Sequence, residues 1–169
     1  VKLFCPDDQK TALMTKLKIA GVAKIEIERS IKSMKVIIYV SRPGVVIGRG
    51  GAGIEDPKKY ITKLTPAAKI DLQVEEIKNP DCNAYLVAMR VAEQLEKRLP
   101  ARRVANKAIE RIMASGGQGA KILLSGRVNG AEISRRESYK SPTGSVPTQT
   151  LRADIDYAAV DAHTRSGFI

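Results

Sequence analysis

Four of the six residues from 48 to 53 are glycine, in the order Gly48-Arg49-Gly50-Gly51-Ala52-Gly53, and the run sits between stretches that alternate with a period of two. Without a Cβ, glycine reaches backbone conformations closed to other residues, so the chain turns here and its backbone can approach a ligand closely. The run fits two anion-binding loops. Gly48-x-Gly50-x-x-Gly53 has the spacing of a dinucleotide-binding fingerprint, and Gly48-x-x-Gly51 has that of the clamp of an RNA-binding module.

The flanking residues separate the two. A dinucleotide loop starts at the tip of a strand and needs an acid about 20 residues on, at a strand end, for the ribose. Here the preceding strand pattern stops near Ser41, Pro43-Gly44 intervenes, and Asp71 is a solvent-facing member of an alternating run. A phosphate-cradling P-loop is excluded because no Gly-Lys-Ser/Thr follows. The clamp asks for less. Glycines let two successive backbones approach a sugar-phosphate chain, their amides face phosphate oxygens, and Arg49 supplies charge.

Periodicity orders the elements around the loop. Residues 7 to 20 open on the capping residues Asp7 and Asp8 and place Leu13, Leu17 and Ala20 on one face before Gly21, which predicts a short amphipathic helix. Ala23, Ile25 and Ile27 then alternate with Lys24, Glu26 and Glu28; Met34, Val36, Ile38 and Val40 alternate again, and the two strands make a hairpin. Pro43 suits the first turn of a short helix through Val45 to Ile47. A further helix is expected over about 54 to 64, its start limited by Pro57. Ala68, Ile70, Leu72 and Val74 predict a third strand with one wet face.

This order, helix, two strands, short helix, glycine clamp, helix, strand, resembles a type II KH domain over residues 7 to 77. The resemblance extends further. "RPGVVIGRGG", "GAKILLSGRVNGAEISRRESY", "LRADIDYA" and "AHTRSGFI" look like the bacterial-type small-subunit ribosomal protein S-three family, in the right order along the chain. It implies an α+β protein: a type II KH RNA-binding domain (α-β-β-α-α-β) over 1-78, and a second α+β domain over 79-169 with two helices packed on a mainly antiparallel sheet. It also implies a place in the head of the small subunit, with small-subunit rRNA, mRNA and neighbouring ribosomal proteins of the head as partners.

The second half is readable on its own. Asn79-Pro80 marks the junction and predicts a helix cap, followed by helices over 81 to 98 and 100 to 115 that are divided at Pro100 and closed by Gly116-Gly117. Strands are expected at Ile122 and Leu124, at Ala131 to Tyr139 and at Gln149 to Tyr157. In the second helix Val104, Ala108 and Ile112 continue an apolar face while Arg103, Lys107 and Arg111 recur every four residues opposite it, beside Arg102. Six cations stand between residues 97 and 111 against the single acid Glu110, whereas a solvated face usually mixes signs to gain i,i+4 pairs. The resemblance implies an Arg-Arg pair at the place where mRNA enters, aiding the unwinding of structured message. Arg102 and Arg103 match that pair. Asn106 stands at the third basic position, with Lys107 one step later. A second cluster, Arg127, Arg135 and Arg136, lies beside Glu132 and Glu137, and both rRNA contact and internal pairing suit it. Arg152 stands at strand spacing from Asp154.

The net charge of +11 calls for a polyanionic partner, and it is spread over both halves: 15 basic against 9 acidic residues in 1 to 78, and 14 against 9 in 79 to 169. Aromatic residues are 4% and tryptophan is absent, so phosphate contacts rather than stacking platforms should carry binding. No apolar run approaches about 18 residues and no basic-then-apolar leader opens the chain, so no membrane partner is expected. Cys5 and Cys82 are far apart and without a second ligand at metal spacing, which predicts reduced thiols and no metal. His163 has no nucleophile or paired carboxylate at motif spacing; no catalytic residues and no cofactor are expected. The expectation is a ribosomal component, not an isolated homo-oligomer, in the cytoplasm or on an organellar ribosome. The competing classes are a free-standing KH-type RNA chaperone or RNA-processing factor, and a nucleic-acid enzyme with a lysine nucleophile.

Overall fold

The computed structural model describes residues 20–29, 33–48, 52–64, 69–147 and 149–169. The chain divides into two compact units, Val1–Lys78 and Asn79–Ile169. The helix expected over 7 to 20, apart from Ala20, lies outside the described residues, as does Cys5.

In the first unit, β1 (Val22–Arg29) and β2 (Ser33–Val40) pair antiparallel, and β3 (Lys69–Glu76) joins the other edge of β2 in parallel, giving the order β1-β2-β3. A parallel neighbour needs a crossover, and the helices α1 (Pro43–Ile47) and α2 (Ala52–Leu64) provide it. The alternation read from the sequence now has a physical cause. Val22, Ile25, Met34, Val36, Ile38, Val40 and Ile70 point to one side, where they bury against Val46 of α1 and Ile61 of α2. Lys24, Glu28 and Asp71 face water on the other side.

One expectation is corrected in α2. The helix begins at Ala52, two residues before the predicted start, and Pro57 lies inside it in the second turn rather than the first. The missing amide of Pro57 costs the bond that Gly53 would otherwise accept; the ring itself is buried, which offsets the loss.

The second unit contains α3 (Ala84–Glu96), α4 (Ala101–Ala114), β4 (Lys121–Gly126), one 3-10 turn over Val128–Gly130, β5 (Arg135–Lys140), β6 (His163–Thr164) and β7 (Gly167–Phe168). β4 pairs antiparallel with β5, and β6 with β7. Val91, Ala92 and Leu95 of α3, Ala101 and Val104 of α4, and Leu124, Val128 and Ala162 form one core. Three boundaries differ from the sequence reading. Asn79 closes a turn by accepting from the Cys82 amide, and the helix cap is Asn83, whose Oδ1 accepts from the Leu86 amide at 3.2 Å. The strand expected from Ala131 starts at Arg135. Residues 149 to 157 form no strand: Leu151 and Tyr157 are exposed, and Asp156 Oδ2 accepts from the Ala84 amide at 2.7 Å, at the open end of α3.

Tyr139 supports this core from β5. Its hydroxyl donates to Glu137 at 2.6 Å, and that bond, followed by desolvation, raises its pKa above the usual 10. A folded-state pKa above the unfolded one gives stability that is complete below about pH 10 and disappears as pH rises through the raised value. Tyr139→Phe is expected to cost about 1 kcal/mol near neutrality and to flatten the alkaline decline, measured by urea unfolding at pH 7 to 11.

Candidate nucleic-acid interface

The glycine loop is framed by two described ends. α1 has Pro43 at its N-terminus and stops at Gly48, whose φ is +66° and whose amide donates to the Gly44 carbonyl at 3.0 Å. That left-handed conformation favours glycine, and Gly48 is exposed. α2 starts only four residues later, so the segment between them runs into a helix N-terminus, where unpaired amides and the macrodipole favour an anion. Glu55 in the first turn of α2 is drawn towards Lys59 at 3.3 Å. Arg49, Gly50 and Gly51 lie outside the described residues.

In the second unit the cationic helix is present as the spacing predicts. Ala101, Val104, Ala105 and Ile109 of α4 are buried, while Arg102, Arg103, Lys107 and Arg111 are all exposed. None of the four enters an ion pair among the described residues. The helix begins at Ala101, one residue after the start expected from Pro100. Arg102 and Arg103 occupy its first turn, which holds no acidic residue, and Pro100 at the cap offers no side-chain hydrogen bond. Cations at a helix N-terminus oppose the dipole, typically by 0.3 to 1 kcal/mol each. Asn129, at a φ of +56°, reaches back so that its Oδ1 accepts from the Ala101 amide at 3.1 Å. The next amides, those of Arg102 and Arg103, have no carbonyl one turn back within the helix. Two cationic residues therefore occupy a helix end that already carries positive partial charge.

The second basic cluster separates. Arg127 is committed internally: Nε donates to the Ala131 carbonyl at 2.8 Å and Nη1 to the Ser166 carbonyl at 3.3 Å. Neighbours in a strand point to opposite faces, so Arg135 and Arg136 of β5 diverge, both exposed. Neither Glu132 nor Glu137 forms an ion pair with them among the described residues.

Two family models match the chain, one in each half. A family model described as "KH domain" matches residues 9–82, and one described as "Ribosomal protein S3, C-terminal domain" matches residues 91–169. The small ribosomal subunit protein uS3 of Caldicellulosiruptor bescii is 49% identical over 154 residues, covering 91% of this chain and 68% of the relative. That of Lachnoclostridium phytofermentans is 50% identical over 158 residues, covering 94% and 71%. The chain belongs to the uS3 family of small-subunit ribosomal proteins. Members of this family are structural components rather than enzymes.

The remaining polar residues of this uS3 chain have local roles. His163 is exposed, stacks edge-on against Phe168 with ring centroids 4.2 Å apart, and its amide donates to Glu96 at 3.2 Å. Cys82 is a free, exposed thiol whose Sγ lies 3.5 Å from the Ser115 carbonyl. Arg152 is exposed within the irregular stretch rather than on a strand beside Asp154. Among the described residues no helix is long and apolar enough to cross a membrane. Sequence reasoning missed the two distant caps, Asn129 and Asp156, because a cap contributed from 28 or 72 residues away leaves no local pattern.

Proposed function

We propose that the chain is a structural constituent of the small ribosomal subunit head, binding small-subunit rRNA and contacting mRNA at the channel where message enters. The clamp at Gly48, Arg49, Gly50 and Gly51 holds ribose-phosphate in one unit. The α4 stripe of Arg102, Arg103, Lys107 and Arg111 holds it in the other, with Arg135 and Arg136 as further contacts and neighbouring head proteins as partners. The observation that carries this reading is the first turn of α4: two exposed arginines in succession sit against the helix dipole with no acid among them. A solvated helix gains nothing from that arrangement, and a polyanion gains from each part of it.

Arg103→Ala separates the two readings, because binding and stability should move in opposite directions. Removing one phosphate contact lowers the slope of log K against log salt by about 0.7 to 0.9, read by titrating an rRNA transcript at several salt concentrations. Removing a cation from a helix N-terminus leaves stability unchanged or raises it by up to about 1 kcal/mol. An unchanged salt slope would remove α4 from the interface. Sedimentation tests the assembly: the chain should stay with small subunits through a moderate salt wash, and its release into the free fraction would favour a free-standing RNA chaperone.

A further inference from the structure

We propose that the solvent face of the β4–β5 hairpin is a separate binding surface for the RNA sugar-phosphate backbone, with Lys121, Arg136 and Lys140 as its phosphate contacts. It rests on the RNA-binding reading above but uses a different element and mostly different residues.

The pairing register defines the face. Lys121 stands opposite Lys140, Leu123 opposite Ser138, and Ser125 opposite Arg136. All six are exposed, whereas Leu124 is buried and Ile122 and Tyr139 pack on the core from the other side. Three cations, two hydroxyls and one leucine therefore share a surface without a carboxylate. Glu137, the one acid of β5, points the opposite way and accepts the Tyr139 hydroxyl. Lys121, Arg136 and Lys140 form no ion pair among the described residues.

Side chains directly opposite in an antiparallel pair have Cβ atoms about 4.5 to 5.5 Å apart, and like charges there are destabilising. The sheet of the first unit shows the alternative within the same chain. There Glu28 is opposite Lys35, which is in turn opposite Asp71, and Lys24 pairs with Glu26 at 2.6 Å. One wet sheet face interleaves signs; the other leaves Lys121 against Lys140.

The chemistry of the face favours RNA over an acidic polypeptide. Ser125 and Ser138 supply donors to phosphate oxygens or to a ribose hydroxyl, and a single leucine is too little apolar surface to anchor a folded segment. Arg136 and Lys140 stand four strand steps apart, about 14 Å at 3.4 Å each, so they reach different phosphates of one strand. Phosphate contacts of this kind carry no sequence information.

The test uses the full chain and a single-stranded rRNA transcript. Lys121→Ala with Lys140→Ala should lower the salt slope by about 1.4 units, two contacts at about 0.7 each. Lys121→Glu should weaken RNA binding and at the same time raise the urea midpoint, since it converts a repulsive pair into an attractive one. Circular dichroism and the urea midpoint establish that each variant folds. If the unsubstituted chain binds RNA and Arg103→Ala lowers the slope while the β4–β5 variants leave it unchanged, the hairpin proposal is overturned and the α4 reading stands. If the unsubstituted chain ignores RNA at low salt, both fall. If poly-glutamate shields Lys121 and Lys140 from amine labelling and RNA does not, the face belongs to an acidic polypeptide and the proposal is wrong.

Discussion

Replacing Arg49 and Gly50 with aspartate is expected to reduce RNA affinity about 100-fold at 0.1 M salt, since the change of three charge units at about 0.7 per phosphate equivalent amounts to roughly two decades. The effect is large because the loop joins two features that attract the same ligand. Gly48 ends α1 in a left-handed conformation, and α2 opens four residues later, at a helix start whose first amides have no partner within the helix. Carboxylates placed between them meet the helix end themselves and repel the phosphate that would occupy it. The core of this unit is made by Val46, Ile61 and the strands, none of which the substitution touches, so circular dichroism and the thermal midpoint should be preserved. Retained affinity in a folded variant would reject the clamp.

Gly53→Ala should act in the reverse sense, on the fold first and on binding as a consequence. A Cβ at Gly53 would overlap the Val46 carbonyl oxygen and lie 3.1 Å from the Ile47 carbonyl oxygen. Backbone cannot rotate aside as a side chain does, so α1 and α2 must separate, withdrawing Val46, which is 2% exposed, from the core. We expect a loss of about 1 to 3 kcal/mol, the range of strain and overpacking in a close-packed interior. Hydrogen exchange of β2 peptides in the full chain measures it without requiring the two units to unfold together. Gly44→Ala is the control. Nothing lies within 4 Å of a Cβ there, it falls within α1, and it should be neutral or slightly stabilising. Equal behaviour of the two variants would show that α1 and α2 are not in backbone contact.

Much of this was legible in the sequence because burial on one side of a sheet imposes a period of two. β1, β2 and β3 were readable for that reason, and so was α4, whose buried and charged faces recur at helical spacing. Where the reading failed, a pattern existed without the partner that would give it meaning. Leu151, Ala153, Ile155 and Tyr157 alternate as a strand would, yet they form no ladder among the described residues, and Asp156 turns to α3 instead. Asn79 and Asn83 are both plausible caps by type, and only the start of the helix decides for Asn83. The adjacent Arg135 and Arg136 read as one cluster until the strand sends them to opposite faces. The separation of Arg127 from its neighbours depends on carbonyls of Ala131 and Ser166 that no spacing rule connects.

The distant caps bear on the order in which the chain acquires its shape during synthesis. Ala84 and Ala101 are made before their partners Asp156 and Asn129, so each amide lacks its distant acceptor while the growing chain ends short of that residue. The amides of Ala84 and Ala101 gain these partners only once residues 156 and 129 have been made and are free to fold back. A nascent chain halted before residue 129 should thus hold the first unit intact while its arginine-bearing helix end is still unanchored.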